Sequence, residues 1–255
     1  MQQLVVLAAR RPLCLCPRLR NRVVRALLRA ALWWHGRPGA ALNRRIHTLD
    51  RRLARFMPRR VRAAIAAQQS AGRALGEITS ALGVGDLAPS FVLPGRDGEP
   101  VTLDDLTADG LAVIAFLRGG WCPPCNLELR ALARLAPQLS ALGARLAVVC
   151  PERPGQLSSF ENVSPVAVPI LEDHGSALAR AFGIAQQFDD TLVEVTAFAG
   201  VDLAEHNGDA SLVLPVPAVY LIDRARRVRF AYRVASYIDR LEPERLLEAV
   251  REASA

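Results

Sequence analysis

The sequence predicts an α/β domain with a mixed central sheet flanked by helices and with an N-terminal helical extension. Two apolar runs without alternation, Ala112–Leu117 and Arg145–Cys150, are typical of buried central strands. The amphipathic segment Asn126–Leu142 lies between them and indicates a helix. Ala218–Ile222 and Val228–Arg233 flank a turn and indicate a hairpin. Strands that alternate with helices and end in a hairpin favour a mixed sheet.

Shorter elements complete this pattern. Residues 184–214 fit neither the helical nor the strand period and are interpreted as an insertion. Strands are expected at Phe91–Leu93 and Val166–Leu171, and helices near Leu157–Glu161, at Ser176–Phe182 and at Pro243–Glu252.

The chain divides into three parts by composition. Residues 1–48 form an arginine-rich extension that is either disordered or amphipathic. Residues 49–82 read as helical, with an interruption near Pro58. Residues 83–253 form the α/β domain, with its insertion near 184–214.

Charge is distributed unevenly along the chain. All 32 basic residues are arginine, and residues 1–75 carry a net charge of +16, whereas residues 76–255 carry −9. The positive net charge therefore belongs to the N-terminal part, and nucleic-acid binding by the domain is not expected.

Residues 18–34 combine apolar residues at helical spacing with interleaved arginines, which is typical of a basic amphipathic helix. One interpretation is contact with an anionic membrane surface. The other, which we favour, is a poorly ordered extension or a translated stretch upstream of the true start. No signal peptide and no membrane span are predicted, so a cytoplasmic location is expected.

The motif Trp121-Cys122-Pro123-Pro124-Cys125 carries the chemistry. It follows a predicted strand and begins a predicted helix, where free N–H groups and the helix dipole stabilise a thiolate. Two intervening residues let the second sulfur reach the first. Cys122 is therefore expected to attack a substrate disulfide, and Cys125 to resolve the mixed disulfide.

A CxxC pair can also be half of a zinc site. A second CxxC or a Cys/His pair is absent from the sequence, so no metal and no other cofactor is expected. Cys150 is interpreted as a core residue of its strand. The Cys14 and Cys16 pair lies in the arginine-rich extension, where a dedicated role is not expected.

Residues 83–253 resemble the thioredoxin superfamily, and within it the alkyl hydroperoxide reductase and thiol-specific antioxidant branch. The resemblance is carried by the run from Arg118 to Arg130, which reads Arg-Gly-Gly-Trp-Cys-Pro-Pro-Cys-Asn-Leu-Glu-Leu-Arg. Further matching pieces are residues 85–91, 206–209 and 214–223. The resemblance implies a thioredoxin-like fold and a cis peptide before Pro217, which would face the cysteines and help to dock a substrate together with Trp121.

The sequence departs from peroxiredoxins at three places. Peroxiredoxins resemble Pro-x-x-x-Thr-x-x-Cys before the helix. An ungapped match places Arg118 at the Pro position, Cys122 at the Thr position and Cys125 at the Cys position. Their peroxide-activating arginine before a later strand is replaced by Pro217. The residues needed for disulfide exchange are therefore all present, whereas the residues that activate a peroxide are not. Arg118 either replaces the lost charge or is solvent-exposed.

A general base for Cys125 is not obvious in the sequence. The weak candidates are Glu128, one turn beyond Cys125, and His206, in the insertion. An acid at the position of Glu128 is more commonly an exposed residue on the helix surface.

The sequence thus favours a thiol oxidoreductase that reduces disulfides and has an antioxidant role. The resemblance implies an electron donor similar to thioredoxin or glutathione. A hydroperoxide reductase of the peroxiredoxin type is the alternative enzyme. A redox-sensing adaptor is the non-enzymatic alternative, and it would oxidise once without turning over.

Overall fold

The computed structural model describes residues 41–153 and 168–254. The expected amphipathic segment 18–34, Cys14 and Cys16, the helix near Leu157–Glu161 and the start of the strand at Val166–Leu171 lie outside these residues.

Two helices precede the α/β domain: α1 (Leu42–Ala54) and α2 (Arg59–Leu75). The chain breaks between them just before Pro58, as the sequence predicts. Helix α1 begins before residue 48, so it crosses the boundary drawn there from composition. The division of the chain into three parts stays a prediction.

The domain contains further helices and strands, including some at 100–107 and 185–215 that the sequence did not predict. They are β1 (Val92–Pro94), β2 (Pro100–Thr102), α3 (Leu103–Thr107), β3 (Leu111–Phe116), α4 (Pro123–Ala141), β4 (Ala144–Cys150), β5 (Ile170–Glu172), α5 (Ala177–Ala181), β6 (Ala185–Gln187), α6 (Asp190–Phe198), α7 (Leu203–Asn207), β7 (Val213–Pro215), β8 (Ala218–Ile222), β9 (Val228–Arg233) and α8 (Pro243–Ser254). Residues 174–176 form a 3-10 turn before α5.

A five-stranded mixed sheet in the order β5-β4-β3-β8-β9 forms the centre of the domain. Strand β3 pairs in parallel with β4 and antiparallel with β8. Its side chains alternate between two buried layers, since Val113 and Ala115 pack with α4 and α8, whereas Ile114 and Phe116 pack with α3 and α5. Burial on both faces explains why this strand is apolar without alternation. The prediction of a thioredoxin-like mixed sheet flanked by helices is confirmed.

The N-terminal helices pack on the domain at two places. Leu42, Ile46 and Leu49 of α1 form an apolar cluster with Leu127 of α4 and a neighbouring alanine and isoleucine. Helix α2 approaches the backbone after β9 at Gly72, where a Cβ atom would lie 2.8 Å from the carbonyl oxygen of Ala235. A glycine is needed there for this close approach, whereas most alanines of α2 are exposed, so the helix packs through Val61, Gln69 and Gly72.

The segment 184–214, interpreted from the sequence as an insertion, is built on a short ribbon in which β6 pairs antiparallel with β7. Helices α6 and α7 lie between these strands, and each is capped by an aspartate, Asp189 and Asp202. Leu192, Leu203 and Leu214 join the two helices to the ribbon as a small apolar cluster. Helix α6 also contacts α2, so the insertion and the N-terminal helices meet.

No helix in the described parts of the chain has the length and apolar character needed to cross a bilayer.

Candidate active site

Cys122 and Cys125 lie at the start of α4, directly after β3 and the loop 117–121. Cys122 is the N-cap residue of the helix, followed by the two prolines of the motif. Cys125 lies within the first turn, and both thiols are free. Proline is tolerated in a first helical turn because its missing N–H has no intrahelical partner there. This is the arrangement that the motif predicts.

Asn126 holds the loop before the cysteines in place. Its side-chain amide donates to the carbonyl oxygens of Gly120 (2.6 Å) and Cys122 (3.0 Å). Gly119 has a φ of +141°, and a Cβ atom there would lie 2.5 Å from Nε1 of Trp121. The glycine of the motif is therefore needed for its backbone conformation and for the close approach of the indole.

The two thiols differ in acidity. The pKa of Cys122 is lowered to about 6, first by a hydrogen bond from Cys125 and then by the guanidinium groups of Arg118 and Arg240. Burial raises the pKa of Cys125 well above that of a free thiol, and the neighbouring Cys122 adds to this effect. Near neutral pH, Cys122 is therefore the thiolate and Cys125 carries the proton.

Arg240, between β9 and α8, is the residue that sequence reasoning missed. Its Nη2 donates to Sγ of Cys125 (3.5 Å), and its Nε lies 3.1 Å from Oε2 of Glu128. Both charged side chains are buried, with relative exposures of 1% for Arg240 and 2% for Glu128. Pro217 stands where peroxiredoxins carry their peroxide-activating arginine, yet Arg240 brings a guanidinium to the cysteines from the segment between β9 and α8.

Glu128 lies inside the domain instead of on the exposed helix face that is the commoner fate of such an acid. Burial raises its pKa to about 7, although Arg240 opposes this shift, and Cys125 raises it further. The carboxyl group therefore exchanges its proton near neutral pH beside the Cys125 thiol. The buried acid beside the cysteines is thus Glu128 of α4, one of the two weak candidates named from the sequence.

Arg118 is buried, with a relative exposure of 2%, so the solvent-exposed alternative was wrong. Its guanidinium lies 5.3 Å from the ring centroid of Trp121 and 4.9 Å from those of Phe188 and Tyr237. The guanidinium lies over the faces of these rings, which attract the cation. Its Nε and Nη2 have no hydrogen-bond partner among the described residues.

Among the contacts of the described residues, His206 is paired with Glu152 and not with the cysteines. Its Nδ1 lies 2.8 Å from Oε1 of Glu152, whose other oxygen accepts from the N–H of Gly120 (2.5 Å). Glu152 has no solvent exposure. His206 and Glu152 thus brace the loop before the motif, which is a positioning contact that the sequence did not indicate.

The peptide bond before Pro217 is trans, so the expected cis bond was wrong. The N–H of Val216 donates to the carbonyl of Ile184 (2.8 Å), and Ala218 pairs with Phe116 of β3. The chain therefore passes in an extended conformation from β7 into β8, and a trans bond fits this path.

Cys150 is fully buried at the end of β4, and burial raises its pKa well above that of a free thiol. This agrees with a role in the core. Within the described residues, no group of three or more His, Cys, Asp or Glu side chains is placed to hold a metal ion.

Comparison with known proteins relates the chain to two kinds of thiol protein. Residues 84–231 match the family described as AhpC/TSA. Peroxiredoxin Bcp of Escherichia coli is 28% identical over 103 residues, which are 40% of this chain and 65% of the relative. Thiol-disulfide oxidoreductase ResA of Bacillus anthracis is 28% identical over 102 residues, or 40% of this chain and 58% of the relative. The match thus spans less than two thirds of these curated relatives.

Among solved structures, peroxidoxin BcpB from Mycobacterium tuberculosis superposes with a TM-score of 0.51 at 20% identity. The superposition covers 66% of this chain and 96% of that protein. This likeness supports the fold, and the family match supports the resemblance drawn from residues 118–130.

Proposed function

Because the chain belongs to the AhpC/TSA family, we propose that it is a thiol-dependent redox enzyme. Cys122 and Cys125 cycle between dithiol and disulfide and reduce disulfides or hydroperoxides. The observation that carries the proposal is the placement of an acidic Cys122 at the N-terminus of α4 and a protonated Cys125 within its first turn. Attack by one thiol and resolution by the other need this difference.

With a disulfide substrate, the Cys122 thiolate attacks one sulfur, a new S–S bond forms and the leaving thiolate departs with the bond electrons. Cys125 then loses its proton and attacks Sγ of Cys122. The second substrate thiolate leaves, and the enzyme holds the Cys122–Cys125 disulfide. The CxxC spacing supports this sequence of steps.

Glu128 is proposed to accept the proton of Cys125 during resolution. Its pKa of about 7 suits a general base near neutral pH. Arg240 lies between the two groups, with 3.1 Å to the carboxylate and 3.5 Å to the sulfur, and stabilises whichever of them is negative.

Hydroperoxides are the second substrate class, and the two guanidinium groups favour it. Reduction of an O–O bond places negative charge on the leaving oxygen, and fixed cations stabilise such charge. Arg118 and Arg240 both lower the pKa of Cys122. The threonine of peroxiredoxins remains replaced by Cys122, so we expect slower peroxide turnover than in a full peroxiredoxin.

The reductant is proposed to be a thiol donor similar to thioredoxin or glutathione, and the location to be cytoplasmic. Contact of residues 18–34 with a membrane surface is a further proposal. Its test is sedimentation with anionic and neutral vesicles, where binding only to the anionic vesicles, weakened by salt, is the supporting result.

A steady-state assay tests the function. Hydrogen peroxide, an organic hydroperoxide and a model disulfide are each supplied with thioredoxin or glutathione recycling. An enzyme turns over many times per chain and loses turnover in Cys122→Ser, whereas Cys150→Ala serves as the matched control. Oxidation that stops after one equivalent would instead support the redox-sensing adaptor.

A further inference from the structure

Gln69 is a buried glutamine of α2 that connects three parts of the structure. Its relative exposure is 8%. Its Nε2 donates to Oδ2 of Asp50 on α1 and to the hydroxyl oxygen of Tyr237, each at 3.1 Å. Its Oε1 accepts from Nη2 of Arg73, one turn further along the same helix (3.4 Å). Both ends of the amide are therefore bonded, and the side chain holds the hydroxyl of Tyr237 in one place.

The ring of Tyr237 carries this constraint to Arg118. Tyr237 lies between β9 and α8, and its ring centroid is 4.9 Å from the guanidinium of Arg118. Two nitrogens of that guanidinium, Nε and Nη2, have no hydrogen-bond partner among the described residues. Contacts with ring faces therefore do much to fix the position of this buried cation, and the position of each ring matters.

Arg118 lies close enough to Cys122 to act on its charge. Both residues line a cavity of about 140 Å³ that opens beside Cys122, and Tyr237 lines it too. The groups that lower the pKa of Cys122 are Cys125, by a hydrogen bond, and the guanidinium groups of Arg118 and Arg240, whereas burial opposes them. Because the attraction between charges weakens with distance, a displaced Arg118 stabilises the thiolate less.

Three of these residues come from outside the part of the chain that matches the family. The match spans residues 84–231 and therefore includes the cysteine motif and Arg118. It excludes Asp50, Gln69 and Tyr237. The close packing of α2 on the chain after β9 brings Gln69 to the segment of Tyr237. The N-terminal helices thus contact the redox site through residues that the family match does not cover.

We propose that Gln69 is a positioning residue of the redox site. It holds the ring of Tyr237 against Arg118, and this guanidinium stabilises the thiolate of Cys122. The N-terminal helices are therefore part of the redox apparatus as well as a packing layer. The proposal rests on the assignment of Cys122 as the attacking thiol, and it adds residues of α1 and α2 to the groups that support that thiol.

Gln69→Leu tests this role by a titration without substrate. Leucine keeps the approximate size and the helix preference of the residue and removes its hydrogen bonds. The absorbance of the Cys122 thiolate at 240 nm is followed against pH. We expect its midpoint to rise from about 6 by roughly 0.5–1 pH unit. A nearby opposite charge shifts a pKa by about 1–3 units, and the variant displaces one of two cations without removing it.

Tyr237→Phe is a milder variant that covers a Gln69→Leu chain that does not fold. It removes only the hydroxyl that Gln69 binds and keeps the ring. Its midpoint should rise by a similar amount. The double variant should rise no further than Gln69→Leu, since both changes remove the same hydrogen bond. Asp50→Asn is the conservative variant. Its amide oxygen still accepts from Gln69, so the midpoint should stay near that of the parent.

Two controls separate positioning from stability. Val61→Ala removes buried methyl groups elsewhere along α2. It should lower the unfolding temperature in differential scanning calorimetry and leave the titration unchanged. Gln138→Leu makes the same chemical change at an exposed glutamine near the end of α4. It should change neither quantity.

The rate of attack on a model disulfide gives a second reading. The thiolate is the nucleophile, so at pH 5 a raised pKa leaves less of it in Gln69→Leu. A more basic thiolate is also more nucleophilic, which offsets part of the loss, and we expect the rate at pH 5 to fall about two- to threefold. At pH 8 the rate should not fall, because the thiolate dominates in both chains.

The outcomes distinguish this role from the proposed function. An unchanged or lower midpoint in folded Gln69→Leu and Tyr237→Phe, with substrate turnover by the parent, would overturn the positioning role and leave the function intact. A raised midpoint in both variants, without turnover of any substrate by the parent, would keep the positioning role and overturn the function. A shift in Tyr237→Phe alone would assign the effect to the hydroxyl itself and overturn the role of Gln69. An equal shift in Val61→Ala would reduce Gln69 to a residue that acts on stability.

Discussion

The guanidinium of Arg240 lies 3.5 Å from Sγ of Cys125, although 115 residues separate them in the sequence. The same guanidinium lies 3.1 Å from the carboxylate of Glu128. A cation, an acid and the resolving thiol therefore form one buried group, and a change to any of them alters the protonation of the others.

Removal of the Arg240 charge should raise the pKa of Cys122 above its value of about 6. In Arg240→Met, the thiolate absorbance at 240 nm should appear at a higher pH than in the parent. Breaking a buried pair also costs roughly 3–5 kcal/mol of unfolding free energy. Glu128→Gln in the same chain should restore part of that stability.

The exposed Arg245→Met is the control for this experiment, because the ion pairs of Arg245 in the described chain are with exposed acids of α8 and its other partner is the ring of Phe230. An unchanged thiolate titration in folded Arg240→Met would show that Arg240 does not act on the cysteines.

Glu128→Gln should slow resolution and leave the first attack intact. An amide cannot accept the proton of Cys125, and general base catalysis contributes roughly 10²–10⁴ in rate. The pH profile of disulfide formation should lose its inflection near 7, which the pKa of Glu128 sets. Stopped-flow fluorescence of Trp121 provides the measurement.

Glu248→Gln changes an exposed acid and should leave that profile unaltered. A Glu128→Gln chain that kept both the rate and the inflection would assign the base elsewhere.

Alkylation of Cys122 should rise with pH through about 6 and then reach a plateau. The sign follows from the lowered pKa, since the thiol is protonated and unreactive below it and the thiolate dominates above it. Cys122 is nearly buried, with a relative exposure of 2%. A small neutral reagent such as iodoacetamide should therefore enter through the cavity.

Mass mapping after brief labelling should find Cys122 modified first. Cys125 and Cys150 should follow only at much higher pH, because burial raises the pKa of both. First labelling of either residue would reverse the assignment of the nucleophile.

Truncation should be tolerated up to residue 40 and not up to residue 45. The sequence pattern predicts that residues 1–45 are dispensable, because the pattern of the domain begins later. In the structure, however, Asn43 donates to the carbonyl of Arg240 and accepts from its N–H, each at 2.7 Å. A chain starting at residue 46 lacks these bonds and the buried Leu42. It should therefore unfold at lower temperature and titrate Cys122 at higher pH than a chain starting at residue 41.

Differential scanning calorimetry and the 240 nm titration compare the two truncated chains. Equal behaviour would mean that α1 does not position Arg240.

The fold and the position of the cysteine motif at a helix start could be predicted because their signals are local. The apolar run of β3 and the helix start at Cys122 are both visible in short windows of sequence. The pairing of Arg240 with Glu128 joins elements far apart in the chain, and an arginine between Asp239 and Leu241 looks like a surface residue. Glu152 was missed for the same reason. The trans bond at Pro217 differs from the expectation because that expectation came from resemblance and not from the local backbone path.

The division of roles between Cys122 and Cys125 is tested most directly by trapping the mixed disulfide. Cys125→Ser, Cys122→Ser and Cys150→Ala are each reacted with a model disulfide, and the adducts are located by mass spectrometry. We predict a stable adduct on Cys122 in Cys125→Ser, no adduct in Cys122→Ser, and normal turnover in Cys150→Ala. An adduct on Cys125 in Cys122→Ser, formed as fast as the Cys122 adduct, would contradict the assignment of Cys122 as the attacking thiol.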